Sequence, residues 1–194
     1  MLALPVQAAQ PQPLSTRPPG PAIALPRPDL LAGRWIPNGF PRTAEGALAQ
    51  LKALDETTLA AGDPQVYARG YRELSAPGAP DPAVTGLFTL LASLRANAGL
   101  STAGAVNDLS VTYRVTQGQI KGTLTGGAFA VVCVLGQLSA QYRGKLVTAG
   151  VGDCQAMRWT GAGWLIAPGT IAAAAPSAWP GSADAAAAGY RVAS

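Results

Sequence analysis

Apolar residues recur at helical spacing in the first half of the chain and predict three helices. Thr43 is a good N-cap for the first helix, which we expect to run to about Ala61 and to end at Gly62. The second and third helices begin at the Asp-Pro pairs of residues 63–64 and 81–82, where aspartate caps the helix and proline takes the first helical position. Leucines form the apolar face of the first helix: Leu48, Leu51, Leu54 and Leu59.

After Leu100 the period of the pattern changes from about 3.6 residues to two, which is typical of strands. Helices followed by an antiparallel meander predict an α+β domain over residues 35–170, with N-terminal helices packed on one face of a curved antiparallel sheet. We expect strands at residues 109–117, 119–125, 128–143, 145–151, 153–160 and 163–169, with turns at Gln117-Gly118, Arg143-Gly144 and residues 161–163.

Two segments of biased composition flank this domain. Residues 1–34 are rich in proline, which favours extended conformations over packing and predicts a disordered tether. A ligand for an SH3-type domain is the alternative, but a proline-rich spacer is the commoner case. Residues 171–194 are rich in alanine and proline, and we expect Trp179 and Tyr190 to dock this tail partly on the domain.

Composition excludes several classes of function. Histidine is absent from the 194 residues, which removes His-based triads and His metal ligands. With only two cysteines, we expect neither a metal nor another cofactor. The net charge of +4 comes from basic residues that are scattered along the chain, whereas nucleic-acid binding needs a clustered basic surface. We therefore expect no nucleic-acid partner.

The hydrophobic pattern contains no candidate membrane span. The densest apolar stretch, residues 128–135 (AFAVVCVL), has the length of a strand, whereas a bilayer requires about 20 apolar residues. The first ten residues (MLALPVQAAQ) lack the basic leader of a signal peptide. We expect membrane association only through an N-terminal anchor that this chain lacks; a truncated or mis-started segment is the alternative.

The two cysteines, Cys133 and Cys154, fall on two strands of the predicted meander. If those strands are neighbours, a disulfide is geometrically reasonable, and closing a loop of about 20 residues would add roughly 3 kcal/mol of stability. A disulfide would indicate an extracytoplasmic location. The alternative is a pair of free, buried thiols, which would indicate the cytoplasm.

Residues 150–169 hold the densest set of unusual residue types. An enzyme hypothesis makes Asp153 a general base in a cavity, with Tyr113 and Tyr142 beside it. A binding hypothesis makes Trp159 and Trp164 a platform for a ligand. The two tryptophans also flank a predicted turn and can pair across it, and we favour this packing interpretation.

Four stretches carry a resemblance to a known family: residues 33–51 (GRWIPNGFPRTAEGALAQL), 152–159 (GDCQAMRW), 164–170 (WLIAPGT) and 178–182 (AWPGS). In these the chain resembles an uncharacterised family encoded by actinobacteria, often on plasmids and integrative conjugative elements. The resemblance implies a membrane-spanning or lipoprotein-like segment before the tether. The order of predicted elements is also similar to the nuclear-transport-factor-like cone, a fold shared by periplasmic assembly components of type IV secretion systems.

The resemblance and the absences lead to one hypothesis and one alternative. We expect a non-enzymatic, extracytoplasmic accessory or assembly domain of a conjugation or secretion apparatus, with other proteins of that apparatus, and copies of itself, as partners. The alternative is a small-molecule-binding protein or an isomerase- or cyclase-like enzyme of the same cone fold.

Overall fold

The computed structural model describes residues 4–17, 20–29, 35–124 and 126–194. The remaining residues of the predicted tether, and Thr125 of the predicted strand 119–125, lie outside this part. Helices are followed by a five-stranded antiparallel sheet, so the predicted α+β class is confirmed. No helix in the described ranges is both long enough and apolar enough to span a bilayer.

The helices begin where side chains cap their free N–H groups. Thr43 Oγ1 accepts a hydrogen bond from the Gly46 N–H at 3.0 Å, and Asp63 Oδ1 accepts one from the Gln65 N–H at 2.7 Å, as the caps predict. The α-helices are α1 (Ala44–Leu59), α2 (Pro64–Glu73), α3 (Gly86–Asn97) and α4 (Ala183–Ala187).

The predicted start of the third helix is wrong by one turn. Asp81 caps only a 3₁₀ turn, Pro82–Val84, through an Oδ1 that accepts from the Ala83 N–H. Thr85 then takes an extended conformation, with φ −80° and ψ 152°, and its Oγ1 caps α3 by accepting from the Phe88 N–H. Two good N-cap residues lie four positions apart, and the second one begins the α-helix.

The sheet has the strand order β4-β3-β2-β1-β5. The two-residue turn predicted at Arg143-Gly144 is confirmed, since Tyr142 pairs with Lys145 across it. Both turn residues have positive φ, 48° and 76°, which such a hairpin requires. The strands are β1 (Leu109–Thr123), β2 (Phe129–Tyr142), β3 (Lys145–Trp159), β4 (Trp164–Ile166) and β5 (Arg191–Val192).

Two predicted breaks in the sheet are wrong. Gly118 does not make a turn: β1 runs through it, and a Cβ there would lie 2.7 Å from a methyl group of Leu48. Gly152 does not end a strand either, because β3 continues through it and a Cβ would lie 2.9 Å from the Tyr190 hydroxyl. Both glycines allow another part of the chain to approach the sheet closely.

Side chains alternate between the two faces of the sheet and create two cores. The larger core lies between the sheet and helices α1 to α3, and it includes Leu48, Leu51, Val132 and Met157. A smaller core on the opposite face is covered by the C-terminal segment. It contains Cys133, Leu135, Cys154, Ala178, Ala185 and Tyr190.

The proline-rich N-terminal segment contacts the C-terminal segment, so the expected disordered state is not confirmed in the described residues. The Ile23 N–H donates to Val192 O at 2.8 Å, and Ile23 O accepts from the Ser194 N–H at 3.1 Å. The side chain of Ile23 is buried, as is that of Ala8, whose carbonyl oxygen accepts from the Trp179 N–H. Two apolar residues of this segment, Ala8 and Ile23, thus find buried positions, whereas Val6 and Leu14 stay exposed.

Candidate functional site

The predicted disulfide between Cys133 and Cys154 is confirmed. The two residues lie directly opposite each other in the β2–β3 ladder, with their Cα atoms 4.0 Å apart. Both side chains belong to the smaller core and are covered by the C-terminal segment. The disulfide therefore joins two central strands of the sheet and is buried beneath the C-terminal segment.

Asp153, the residue before Cys154, points to the opposite face of β3 and into the larger core. Its side chain is only 7% exposed, and its Oδ2 accepts a hydrogen bond from Gln155 Nε2 at 2.9 Å. Burial raises the pKa of the Asp153 carboxyl to about 6, while the hydrogen bonds from Gln155 and from the backbone of Cys154 oppose this shift. The group therefore changes protonation in a neutral to mildly acidic range.

A second buried carboxyl, that of Asp55 on α1, interacts electrostatically with Asp153. Burial, followed by the charges of Asp153 and Glu56, raises the pKa of Asp55 well above its usual range. Asp55 is completely buried, and neither of its carboxyl oxygens has a hydrogen-bond partner among the described residues. Burial and mutual repulsion favour a neutral acid in this interior.

Tyrosine side chains from two elements share this interior. The Tyr71 hydroxyl, on α2, lies 3.5 Å from Gln155 Oε1, and the Tyr113 hydroxyl, on β1, donates to Val151 O at 2.9 Å. Burial, together with the charges of Asp153 and Asp55, raises the pKa of the hydroxyls of Tyr67, Tyr71 and Tyr113. These hydroxyls therefore stay protonated, and they act in this interior as hydrogen-bonding groups.

The two tryptophans contact each other across the β3–β4 hairpin. Trp159 pairs with Trp164 in the ladder, and their rings meet edge to face with centroids 5.6 Å apart. Trp164 is fully buried and its Nε1–H donates to Pro41 O at 2.8 Å. The pair fastens the hairpin to the chain just before α1, which agrees with the packing interpretation.

Two surface grooves lie along the sheet. One, of about 500 Å³, follows β1 and is lined by Tyr113, Arg114 and Glu56 among others. The other, of about 520 Å³, lies between α3 and the β2–β3 hairpin, and Tyr142 is one of its residues. Asp153 lines neither groove. Of the residues that the enzyme hypothesis places around one cavity, Tyr113 therefore shares the interior with Asp153, whereas Tyr142 lines the second groove.

Sequence reasoning missed Asp55, Tyr67 and Tyr71. Asp55 lies four residues after Leu51 and seven after Leu48, so an acidic residue on the apolar face of a predicted helix was the available signal. In the part of the chain that the structure describes, no three residues of the types His, Cys, Asp and Glu come together as a potential metal site.

Comparisons with protein-family models, with curated proteins and with solved structures find no match to this chain.

Proposed function

We propose that this protein is a non-enzymatic, extracytoplasmic accessory domain that assembles or stabilises a conjugation or secretion apparatus through protein contacts. The buried disulfide between Cys133 and Cys154 supports the location, because such bonds persist in oxidising compartments. The family resemblance of residues 33–51 supports the assignment to a conjugation or secretion apparatus. The observation that carries the proposed contact is the part of the β1 edge that no strand among the described residues pairs with.

The proposal includes a cone-like fold of the nuclear-transport-factor type. Helices cover one face of the sheet, and β1 changes register between Val115 and Gln117 and again between Ile120 and Gly122. Such bulges bend a strand and increase its twist. These two bulges support the proposed curvature of the sheet and the comparison with cone-shaped assembly domains.

We define the β1 edge as residues 109–115, on the side of β1 that faces away from β2. Strand β5 pairs with β1 only at Gln117 and Gly118, so it stops short of this edge. The Val115 N–H donates to Glu56, and Val115 O accepts from Lys52, which shows that the backbone groups of Val115 face outward. Because backbone groups alternate in direction along a strand, the N–H and C=O groups of Val111 and Tyr113 also face away from β2.

Backbone groups at a strand edge that no other strand pairs with can accept an additional strand from a partner. On the β1 edge, Val111 and Tyr113 have such groups, whereas those of Val115 are already bonded to Glu56 and Lys52. The groove of about 500 Å³ lies alongside the β1 edge and includes Thr112 and Arg114, whose side chains are exposed. In strand addition, backbone hydrogen bonds provide affinity and flanking pockets select alternate side chains of the partner. We assign the β1 edge to an extended segment of a neighbouring protein in the apparatus.

Photo-crosslinking tests this contact. A photoreactive amino acid at Thr112, on the β1 edge, should trap an adduct with a protein of the transfer apparatus in the organism that encodes the chain. The same amino acid at Arg72, an exposed position on α2, is the matched control and should trap none. Equal labelling from both positions, or none from Thr112, would contradict the proposed contact.

The buried carboxyls of Asp55 and Asp153 favour a second candidate, a small-molecule binder or an isomerase- or cyclase-like enzyme. Groups with strongly shifted pKa values cluster at catalytic sites, and an acid with a pKa of about 6 is suited to proton transfer. This candidate requires the interior to open, because Asp153 lines neither groove.

Thermal-shift screening of small carbonyl compounds tests the second candidate. If the second candidate is right, a bound compound raises the melting temperature of the wild type, and D153N loses this response. A response that D153N retains would place the compound outside the interior and would contradict the candidate.

A further inference from the structure

The second groove is a candidate binding site that the proposed protein contact at the β1 edge does not explain. We call it the hairpin groove: the space of about 520 Å³ between α3 and the end of the β2–β3 hairpin, bounded by Leu90, Leu94, Leu138, Ala149, Arg143 and Lys145. Its volume falls within the range of about 300 to 1,000 Å³ that is typical of sites for small ligands. Strands β2 and β3 supply its floor.

The middle of the hairpin groove is apolar. Leu138 pairs with Ala149, and Ala140 pairs with Val147, so these four side chains share the face of the hairpin that α3 overlooks. Two of the four are alanines, which leave space above the sheet. Val147 remains 63% exposed. The groove thus offers apolar surface without an apolar partner from the described residues.

One end of the hairpin groove is cationic. Arg143 and Lys145 lie at the hairpin turn, both are exposed, and the Arg143 guanidinium sits over the Tyr142 ring, 5.0 Å from its centroid. The groove residues that the structure describes include no aspartate or glutamate. The acidic residue nearest in sequence to the groove is the exposed Asp108, which precedes Leu109, the partner of Tyr142.

We propose that the hairpin groove binds a single-chain anionic amphiphile, such as a long-chain carboxylate. The apolar floor would contact the hydrocarbon chain, and Arg143 and Lys145 would bind the anionic head group. This arrangement matches the two parts of such a ligand, because burying methylene groups favours binding and opposite charges fix the orientation. The site shares only Leu109 with the β1 edge, so the two proposals can fail independently.

Calorimetric titration of the full chain with dodecanoate, kept below its micelle concentration, tests the proposal. Affinity should rise roughly fourfold for each methylene added between octanoate and dodecanoate. Undecyltrimethylammonium, which has the same alkyl chain and the opposite charge, should bind at least about tenfold more weakly. Equal affinity for the two head groups, or no binding of dodecanoate, would overturn the proposal.

Variants locate the binding. R143Q/K145Q should weaken dodecanoate binding at least about tenfold, whereas R72Q/K121Q, which removes the same charge at exposed positions elsewhere, should leave it unchanged. A149L should fill the groove and abolish binding while the melting temperature changes little.

Two results would overturn the assignment. One is wild-type affinity in both R143Q/K145Q and A149L. The other is association with vesicles of phosphatidylglycerol without any binding of monomeric dodecanoate, which would assign the cationic tip to a lipid surface instead.

Discussion

At the residue scale, the protonation of Asp153 makes the stability of the folded protein depend on pH. Its folded-state pKa of about 6 lies above the ordinary 3.8, so the folded state holds the proton more tightly than the unfolded state. The stabilisation of the folded state by the protonated Asp153 carboxyl is fully present below the ordinary pKa. It is lost as pH rises through about 6. Asp55, whose pKa is also raised, acts in the same direction.

Replacing Asp153 with asparagine should therefore stabilise the protein at pH 8 relative to the wild type, and much less at pH 4. The shift sets an upper value of about 3 kcal/mol for the gain at pH 8. Urea denaturation at the two pH values measures it, with D29N at an exposed position as the control. The same difference between D153N and wild type at both pH values would contradict the proposed burial of a charged group.

A second residue-scale prediction concerns Gly46 in α1. Alanine normally stabilises a helix relative to glycine by about 1 kcal/mol. Here a Cβ would overlap the Pro41 carbonyl, which accepts the Trp164 hydrogen bond, and would lie 3.2 Å from Trp164 Nε1. We expect G46A to lose at least about 2 kcal/mol of stability despite its helix propensity.

Gly86, at the start of α3, is the matched control, because a Cβ there would have no neighbour within 4 Å. Thermal denaturation of G86A should show unchanged or higher stability. Stability in G46A equal to that in G86A would contradict the close contact between α1 and Pro41.

At the scale of elements, the disulfide ties β2 to β3 over a sequence separation of 21 residues. Closing such a loop restricts the unfolded chain and is worth about 3 kcal/mol. Reduced wild type and C133A/C154A should therefore both unfold at lower urea concentration than the oxidised protein. A midpoint for C133A/C154A equal to that of the oxidised protein would show that the bond adds no stability.

The sequence predicted helix starts and turns correctly where a residue type has a single structural meaning at that position. The caps at Thr43 and Asp63 and the turn at Arg143-Gly144 are such cases, since their chemistry is confined to a few neighbouring residues. Gly118 and Gly152 were misread because glycine indicates either a turn or a close approach, and only the tertiary contacts with Leu48 and the C-terminal segment decide between them.

The candidate site was predictable only in part for the same reason. The predicted meander placed strand 145–151 between the strands of Cys133 and Cys154. The two cysteines lie opposite each other because β3 runs unbroken from Lys145 to Trp159. The contribution of Asp55 depends on how α1 packs against β3, and the amino-acid pattern of one helix does not contain that information.

At the scale of the whole molecule, Tyr190 is buried in the smaller core, just before the residues that pair with the N-terminal segment. Its side chain is 3% exposed, and its hydroxyl donates to Pro176 O at 3.1 Å. Ile23 bonds to Val192 and Ser194, which follow Tyr190 closely. Loss of the ring should therefore release the N-terminal segment as well as the C-terminal one.

Y190A should cost about 3 to 5 kcal/mol, and Y190F only about 1 kcal/mol, because the phenylalanine keeps the ring. Hydrogen exchange should show lost protection at Ile23 in Y190A but not in Y190F. Unchanged protection of Ile23 in Y190A would contradict this coupling between the two segments.

The proposed function depends first on a compartment that keeps Cys133 and Cys154 oxidised. Alkylation of the protein in the organism that encodes it, under denaturing conditions with and without a reductant, measures this state directly. We predict that neither cysteine is labelled until the reductant is added. Labelling of both cysteines without reductant would place the protein in a reducing compartment and contradict an extracytoplasmic role.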